Sequence, residues 1–464
     1  MSSAVLRCLV TGATGYIGTR LVPRLLDEGH HVRALARNPT KLADVPWRGR
    51  AEVVRGDLDD VDSLIAAFDG SDVVYYLVHS MGSAKNFAAA EDRAVRNVVT
   101  AARCTGVRRV VYLSGLHPEN TALSTHLESR TAVGETLIDS GIEAVVLQAG
   151  VVIGSGSAAF EMIRHLTDRL PVMTTPKWVH NRIQPIAVRD VLHYLVAAAT
   201  APVPSSRTWD VGGPDVLEYG DMMRIYAEVA GLRMRRLIVL PFLTPTIASL
   251  WVGTVTPIPA GLARPLIESL ECDAVMRNSD VDTIIEPPPR GLTGYRRAVE
   301  LALDRETRGL PNWDSLCSHP AEPLPSDPEW AGAVSYTEVR TATIGAEPDD
   351  VWKAAEDAAN AGRWYLFAGH PATRCSVEEC SPPSTLRLRA TTGSLGQSWL
   401  DITVTPRDGG GSEYVQRAGF VPIGLPGQLY SVLLRPLHIA ALRALARDVV
   451  RTVKHRTAGA AQAP

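Results

Sequence analysis

The stretch that decides the fold is Thr11-Gly12-Ala13-Thr14-Gly15-Tyr16-Ile17-Gly18. It follows a short apolar run, residues 5–10, which is typical of a buried strand. It also opens a segment in which Ile17, Leu21 and Leu25 recur at helical spacing. A strand, a glycine-rich turn and a helix in this order are the setting of a dinucleotide-binding loop.

The three glycines of this stretch have distinct predicted roles. Gly12 permits a tight turn, Gly15 lets backbone N–H groups approach a pyrophosphate, and Gly18 lets the helix pack closely on the strand. The helix N-terminus adds positive potential. A glycine turn without a ligand is the alternative. We expect the loop to hold a dinucleotide through Gly12, Thr14, Gly15, Tyr16, Ile17 and Gly18.

Strand and helix patterns alternate through residues 4–150. Strand candidates occur at residues 31–36, 53–57, 73–78, 107–114 and 144–148. This alternation predicts an α/β fold, a Rossmann-type doubly wound parallel sheet with helices on both faces. Beyond residue 150 the pattern loosens, and we expect a small substrate-side subdomain, mainly from residues 151–184 and 203–300.

The end of the second predicted strand distinguishes between cofactors. Sheets that bind NAD place an acidic residue there for the ribose hydroxyls, whereas this chain has Arg37, with Asn38 and Lys41 beyond it. A guanidinium matches a 2′-phosphate, so the sequence favours NADP(H) over NAD(H); a solvated surface charge is the alternative for Arg37. Further cofactor contacts are expected from Asp57, Leu58, Leu77, His79 and Ser80.

The composition is that of an ordinary globular protein. Of 464 residues, 45% are apolar and 21% are charged, which excludes a disordered or collagen-like chain. Lys and Arg total 47 against 50 Asp and Glu, and this near-balance argues against nucleic acid as a partner. The six cysteines form neither a disulfide framework nor a zinc pattern. We therefore expect no metal and a reduced, cytoplasmic setting.

One apolar stretch, residues 237–255, approaches membrane length. It contains Pro241, Pro245 and Gly253, so it would make a poor membrane-spanning helix. We expect a buried or partly exposed helical hairpin there, and peripheral contact with a membrane surface stays open.

A second unit is predicted after a proline-rich linker. Five prolines punctuate residues 311–333, which is typical of an extended linker. Strand patterns then occur at residues 336–344, 385–391, 398–406 and 412–421, a helix begins at Pro348, and a long helix covers residues 429–453. The glycine-rich turn at residues 408–411 predicts a hairpin. We therefore divide the chain into residues 1–310, 311–333, 334–455 and a flexible tail, 456–464.

Residues 4–310 resemble the short-chain dehydrogenase/reductase superfamily, in particular its atypical NmrA-like and complex I 39-kDa-subunit-like branch. The resemblance rests on the glycine loop, Gly56-Asp57-Leu58, Ser114-Gly115 and Pro185-Ile186-Ala187-Val188-Arg189-Asp190-Val191. It implies an NAD(P)-binding domain. Asp190 is expected to cap its own helix and to hold Arg189.

Residues 334–455 resemble a polyketide cyclase/START-type (SRPBCC) helix-grip domain. The resemblance rests on residues 341–348, Val351-Trp352, Trp364, the glycine-rich hairpin and the long final helix. It implies a sheet curled around that helix and an apolar cavity for a hydrophobic ligand. The stretch between Trp364 and Thr385 is short, which points to a reduced or absent cavity.

The superfamily's catalytic triad is only partly present. A Ser, a Tyr and a Lys act together in the superfamily; Ser114 matches the serine, while His126 and Arg130 stand where the Tyr and Lys belong. Positions i and i+4 share a helix face, so the guanidinium should lower the pKa of the imidazole. Histidine can act as a general acid or base, and Arg130 can hydrogen-bond ribose hydroxyls. A protein that only binds the dinucleotide could tolerate the same replacement.

Three functions remain open on this sequence. One is an NAD(P)H-dependent oxidoreductase acting on a hydrophobic carbonyl, enone or quinone-like substrate, with Ser114 and His126 at the substrate oxygen. Another is a non-catalytic NADP(H)-binding sensor of NmrA type. The third is a lipid-binding or membrane-surface assembly factor, suggested by the apolar residues 237–255 and 425–445.

Overall fold

The computed structural model describes two compact units, Met1–Gly332 and Ala333–Pro464. The predicted linker, residues 311–333, and Trp364 lie outside the described residues. The described residues are 5–43, 45–78, 87–119, 121–240, 252, 256, 258–303, 336–360, 374–391, 395–407, 410–422 and 424–460.

The first unit is built on one sheet of seven parallel strands. Its central strands are apolar along most of their length, as expected where both faces of a sheet are covered. The strands are β1 (Arg7–Val10), β2 (His31–Ala36), β3 (Glu52–Arg55), β4 (Val73–Tyr76), β5 (Arg109–Gly115), β6 (Glu143–Ala149) and β11 (Arg207–Val211). Their spatial order is β3-β2-β1-β4-β5-β6-β11, and every neighbouring pair is parallel. This confirms the predicted Rossmann-type α/β fold.

Helices cover both faces of this sheet. On one face, α1 (Tyr16–Asp27) and α6 (Val188–Ala198) pack through residues such as Leu21 and Leu195. On the other face, α2 (Val61–Phe68), α3 (Phe87–Thr105) and α4 (Thr125–Ile138) pack through residues such as Phe68, Val95 and Leu137. The strand order reverses between β1 and β4, and in open α/β sheets ligands bind outside the carboxyl ends of the strands at such a point.

The seventh strand, β11, was not evident in the sequence pattern. Arg207-Thr208-Trp209-Asp210-Val211 has three polar residues among five. In the structure the Arg207 guanidinium stacks over the Trp209 ring at 3.7 Å and pairs with Asp280 at 2.9 Å. Strand β11 pairs with β6, more than 60 residues earlier, and Asp280 comes from a later segment, so the local pattern does not reveal the strand.

The substrate-side elements form a separate apolar core. Its buried residues include Phe160, Tyr219 and Tyr226. The elements are β7 (Val152–Ile153), α5 (Ala158–Arg169), β8 (Val172–Thr175), β9 (Arg182–Ile183), β10 (Ile186–Ala187), β12 (Leu217–Glu218), α7 (Tyr219–Val229), β13 (Arg236–Val239), α8 (Ala260–Glu268) and α9 (Tyr295–Leu303).

The helical hairpin expected at residues 237–255 is wrong at its start. Residues 236–239 form strand β13, which pairs in parallel with β8. The run Leu237-Ile238-Val239 is β-branched in two of its three residues, which favours a strand. Most of the remaining stretch, residues 241–251, lies outside the described residues.

The second unit is an antiparallel sheet packed on two helices. The strands β14 (Tyr336–Ile344), β15 (Arg374–Ser381), β16 (Thr385–Thr391), β17 (Gly396–Pro406) and β18 (Ser412–Pro422) lie in the order β14-β18-β17-β16-β15. The helices are α10 (Pro348–Asn360) and α11 (Gly424–Ala460). Strand β15 lies in the stretch before Thr385 where no strand was predicted, and α11 continues into the predicted tail.

One helix among the described residues has the length and apolar composition of a membrane span. The segment Pro426–Arg456 of α11 is long and apolar enough to cross a bilayer, and 22% of its most apolar window is buried within the protein. The sequence pattern pointed to residues 237–255 instead, because that stretch contains fewer charged residues than α11 does.

The buried Arg109 joins β5 to the end of α6, and we expect Arg109→Leu to destabilise the first unit. Its guanidinium bonds Glu143 and donates to the Ala198 and Ala201 carbonyl oxygens at 2.6 and 2.7 Å. Removing it leaves these groups without a partner, at a cost of about 2–4 kcal/mol. Calorimetry should show a fall in unfolding temperature of about 5 °C or more.

Arg96→Leu is the matched control for Arg109→Leu. Arg96 pairs with Asp92 one helical turn away, but its side chain is 69% exposed, and exposed pairs contribute about 0.5 kcal/mol. Equal losses in the two variants would contradict a structural role for Arg109.

Candidate functional site

The loop between β1 and α1 is shaped by contacts that leave no room for side chains. Gly12 has a φ of +67°, and a Cβ there would lie 2.9 Å from the Leu77 carbonyl oxygen. A Cβ on Gly18 would overlap the Gly12 carbonyl oxygen. The Gly15 amide donates to that same oxygen at 2.8 Å. Glycine is therefore required at positions 12 and 18, and the start of α1 is held against β1 and β4.

The same loop fits the pyrophosphate of a dinucleotide. Gly15 is exposed, and Thr14, Tyr16 and Ile17 are half-buried. Gly15 is the N-cap of α1 and has no side chain to satisfy the first amides of the helix. Free N–H groups and the helix dipole make such a turn a binding site for phosphate.

The residues after β2 place exposed positive charge at the same sheet edge. Arg37 is exposed, and no hydrogen bond or ion pair joins its guanidinium to the part of the chain that the structure describes. Asn38 caps the 3₁₀ turn Pro39–Leu42, because its Oδ1 accepts from the Thr40 amide and hydroxyl at 3.1 and 2.7 Å. Lys41 lies in that turn and is exposed. Asn38 thus has a structural role, while Arg37 and Lys41 remain open to a ligand.

The ends of β3 and β4 bring Asp57, Leu58 and Leu77 to this edge. The Leu58 carbonyl accepts from the Asn97 side chain at 2.8 Å. The Leu77 amide donates to the Thr11 hydroxyl at 3.2 Å, which ties the end of β4 to β1. Both predicted residues that follow β4 lie outside the described residues, namely His79 and Ser80.

Three buried polar residues form a row across the ends of β5, β6 and β11. Ser114 is in register with Gln148, and Gln148 with Asp210. Residues in register on parallel neighbours point to the same face, so these side chains lie next to one another. Burial raises the pKa of the nearby Tyr112, and the Ser114 hydroxyl opposes that rise. The Ser114 hydroxyl nevertheless makes no hydrogen bond of ordinary geometry to a described residue.

Helix α4 lies against the end of β5, beside Ser114. Arg130 donates from Nη2 to the Leu113 carbonyl at 2.8 Å, and the Tyr112 hydroxyl donates to the Arg130 carbonyl at 3.3 Å. The Arg130 Nε is buried and has no partner among the described residues. Buried polar atoms are nearly always paired, so Ser114 Oγ and Arg130 Nε both fit a ligand oxygen.

His126 is buried in the first turn of α4. It is 5% exposed, and its ring centroid lies 6.5 Å from that of Phe87. Burial, and to a lesser extent Arg130, lowers the pKa of His126 from 6.5 to about 4. The predicted direction is confirmed, although burial is the larger cause. No hydrogen bond joins the imidazole to Ser114, Arg130 or another residue within the described ranges.

A hydrogen-bonded chain next to Ser114 was missed by the sequence analysis. Arg277 donates to both carboxylate oxygens of Asp210 at 2.6 and 2.9 Å and to Gln148 Oε1 at 2.7 Å. Gln148 Nε2 then lies 3.1 Å from His117 Nε2. An amide NH2 only donates, so His117 Nε2 is the acceptor and its Nδ1 carries the proton, 3.2 Å from the Pro118 carbonyl.

The hydrogen-bonded chain of Arg277, Gln148 and His117 adjoins a surface cavity of about 260 Å³. The cavity is lined by Pro118, Glu119, Asp273, Val275 and Arg277. His117, Gln148 and Arg277 are therefore candidate substrate-side residues. The sequence could have indicated His117 and Gln148, because they lie near the carboxyl ends of β5 and β6. Arg277 could not be found in this way, because it lies in a loop 67 residues beyond its partner Asp210.

The capping role expected for Asp190 is wrong, whereas its expected electrostatic interaction with Arg189 is present. The N-cap of α6 is Ala187, and Asp190 lies in the first turn without capping it. Its carboxylate instead accepts from the Thr293 amide and hydroxyl at 2.7 and 3.2 Å. The buried Asp190 thus holds the segment before α9.

Comparison with known proteins relates the chain to NAD(P)H-binding proteins. A family of NAD(P)H-binding proteins matches residues 12–156. The chain is 36% identical over 118 residues to 3β-hydroxysteroid dehydrogenase/Δ5→4-isomerase of Mycobacterium tuberculosis, which covers 23% of this chain and 31% of that protein. It is 28% identical over 232 residues to ceramide reductase of Caulobacter vibrioides, 49% of this chain and 71% of that protein. The chain thus spans about a third of the first relative's length.

The fold has matches among solved structures. Triphenylmethane reductase of Citrobacter sp., solved with NADP(H), aligns with 64% of this chain and 100% of its own, at a TM-score of 0.51 and 19% identity. Identity this low shows the fold alone. Residues 12–156 thus match a family of NAD(P)H-binding proteins, and the first unit shares its fold with an NADP(H)-binding reductase.

Proposed function

We propose that the first unit is an NADP(H)-dependent oxidoreductase for a small hydrophobic carbonyl, enone or quinone-like compound. The observation that carries the proposal is the buried Ser114 hydroxyl at the carboxyl end of β5, which makes no hydrogen bond of ordinary geometry to a described residue. The glycine loop follows β1, and β5 is the second strand from β1, with β4 between them. Two relatives are named for a steroid and a ceramide, which supports an apolar substrate.

The residues that would hold the cofactor are the glycine loop and the exposed cations after β2. The backbone of residues 12–18 would bind the pyrophosphate, and Arg37 and Lys41 would attract the 2′-phosphate. When bound, NADPH supplies a hydride. These exposed charges support the preference for NADP(H) over NAD(H).

Ser114 and the groups around it would act on the substrate oxygen. The Ser114 hydroxyl donates a hydrogen bond to that oxygen, and the nearby Arg130 cation stabilises negative charge as it develops there. His126 is neutral above about pH 4, so it contributes an N–H donor rather than an imidazolium acid. Arg277 fixes Gln148, which keeps His117 Nε2 an acceptor next to this centre.

A second candidate function is a dinucleotide-responsive sensor without turnover. The neutral His126 and the attachment of Arg130 to the Leu113 carbonyl favour it, because neither side chain then acts as the Tyr–Lys pair of an ordinary reductase. Such a protein needs the glycine loop and Arg37 but no proton transfer.

We also propose that the second unit is a helix-grip domain of START type. Its order of strand, helix, four antiparallel strands and long helix supports this. The sheet packs on α11 through Leu400, Ile402, Leu442 and Leu445. An apolar ligand in this unit is part of the proposal.

We expect NADPH to bind more tightly than NADH, and Arg37→Asp to remove the difference. Replacing a cation with an anion next to the 2′-phosphate should weaken NADPH binding about 10- to 100-fold and leave NADH binding within a few fold. Titration of cofactor fluorescence measures both. Arg233→Asp, the same change at an exposed arginine after α7, is the control. Equal affinities in the unaltered protein would contradict the role of Arg37.

We expect Ser114→Ala to lower kcat about 100-fold while NADPH affinity is unchanged. Loss of one donor at a developing oxyanion has an effect of this size. Absorbance of NADPH, followed with aldehydes, enones and quinones, measures turnover. Thr136→Ala, which removes a hydroxyl from α4, is the control. Tight NADPH binding with no oxidation by any of these compounds would support the sensor instead.

We expect acid to destabilise the protein through His126. Its folded pKa of about 4 lies below the unfolded value of 6.5, so the unfolded state binds the extra proton between these pH values. The free energy of unfolding should rise by up to about 3 kcal/mol from pH 4 to 6.5. Urea unfolding of His126→Gln should lack this part of the slope, and that of the exposed His31→Gln should retain it. An unchanged slope in His126→Gln would refute a buried neutral imidazole.

A further inference from the structure

The outward face of α11 begins with an exposed apolar stripe. Leu429, Val432, Leu433, Pro436, Leu437 and Ala440 recur at intervals of three and four residues and are all exposed; Leu433 is 73% exposed. Later in the helix, Leu442, Leu445, Val449 and Val453 are buried against the sheet of the second unit. An exposed apolar surface of this kind marks a binding surface.

The same face becomes basic further along the helix. Arg443, Arg447, Arg451 and Lys454 are exposed. At about 100° per residue, all four point within about 40° of the direction of Leu429. The acidic residue that α11 contains is Asp448, which lies to one side of this face. The outward face is therefore an apolar stripe followed by a basic stripe.

We propose that this face of α11 binds the surface of an anionic lipid bilayer, independently of the proposed oxidoreductase activity. The apolar stripe, about 18 Å long, enters the boundary of the acyl chains, and the basic stripe contacts anionic headgroups. The helix lies on the bilayer rather than crossing it, because its inner face is already packed on the sheet through residues such as Leu442 and Leu445.

A second copy of the chain fits this face less well than a bilayer does. Antiparallel pairing along the full length of two such helices would place the basic stripe of one against the apolar stripe of the other, and pairing through the apolar stripes alone would leave both basic stripes without a partner. Parallel pairing would place Arg447 and Arg451 against the same cations of the partner copy. An anionic bilayer satisfies both stripes at once, which is why we commit to it.

Sedimentation of the full chain with lipid vesicles tests the proposal. We expect binding to vesicles of equal parts phosphatidylglycerol and phosphatidylcholine, and binding at least tenfold weaker to phosphatidylcholine alone. The double variant Val432→Gln/Leu433→Gln should lower binding about tenfold. The double variant Arg447→Gln/Arg451→Gln should lower it similarly and reduce its dependence on salt.

Two matched controls come from the same unit. Val377→Gln replaces a 62% exposed valine on β15, and Arg407→Gln replaces an exposed arginine after β17; neither should change vesicle binding. Circular dichroism on every variant shows whether its secondary structure is retained, and NADPH titration shows whether the first unit still binds cofactor. The NADPH titration also keeps failure of this proposal distinct from failure of the proposed cofactor site.

Two results would overturn the proposal. One is vesicle binding that is the same for the unaltered chain and both stripe variants. The other is a concentration-dependent dimer that Leu433→Gln abolishes, together with no binding to anionic vesicles, which would assign the face to a second copy.

Discussion

The close approach of α1 to β1 at Gly12 and Gly18 is the contact on which the candidate site depends. A side chain on Gly18 would overlap the Gly12 carbonyl oxygen, so the helix can begin here only with glycine. Its N-terminus is thereby placed where the strand order reverses, between β1 and β4. Arg37 follows the neighbouring strand β2, and Ser114 ends β5 on the other side. This backbone contact and the parallel strand order together place the predicted phosphate-binding residues and the predicted reacting residues at the same edge of the sheet.

The chemistry at this edge differs from that of a Tyr–Lys reductase. Arg130 keeps a permanent charge beside Ser114, but a hydrogen bond to the Leu113 carbonyl holds its side chain. His126 is neutral because it is buried, and its ring contacts Phe87. A reductase with these residues depends on electrostatic stabilisation of the substrate oxygen more than on acid catalysis. A sensor needs neither, so cofactor binding alone does not distinguish the two functions and turnover does.

Local sequence patterns predicted those parts of the structure that local interactions determine. The glycine loop and strand β14 depend on neighbouring residues and on alternation, and β14 has the predicted bounds Tyr336–Ile344. Strand β11, which pairs with β6, and the Arg277–Gln148–His117 chain depend on partners far apart in the sequence, and both were missed. Burial also cannot be read from one position. The spacing of His126 and Arg130 predicted that they act as a pair on one helix face. The structure gives them different roles, because burial keeps His126 neutral and a hydrogen bond holds Arg130 at the Leu113 carbonyl.

The final helix illustrates the same limit in the opposite direction. The sequence shows apolar residues throughout 425–445, which fits a buried core and a lipid contact equally well. The structure separates two faces of one helix: Leu442 and Leu445 are buried, whereas Leu429 and Leu433 face outward on the side that also carries Arg447. Apolar compounds concentrate in bilayers, so a helix held at an anionic membrane surface would raise the local concentration of an apolar substrate. The membrane proposal and the oxidoreductase proposal rest on different residues, yet both involve an apolar binding partner: a lipid bilayer in one and an apolar substrate in the other.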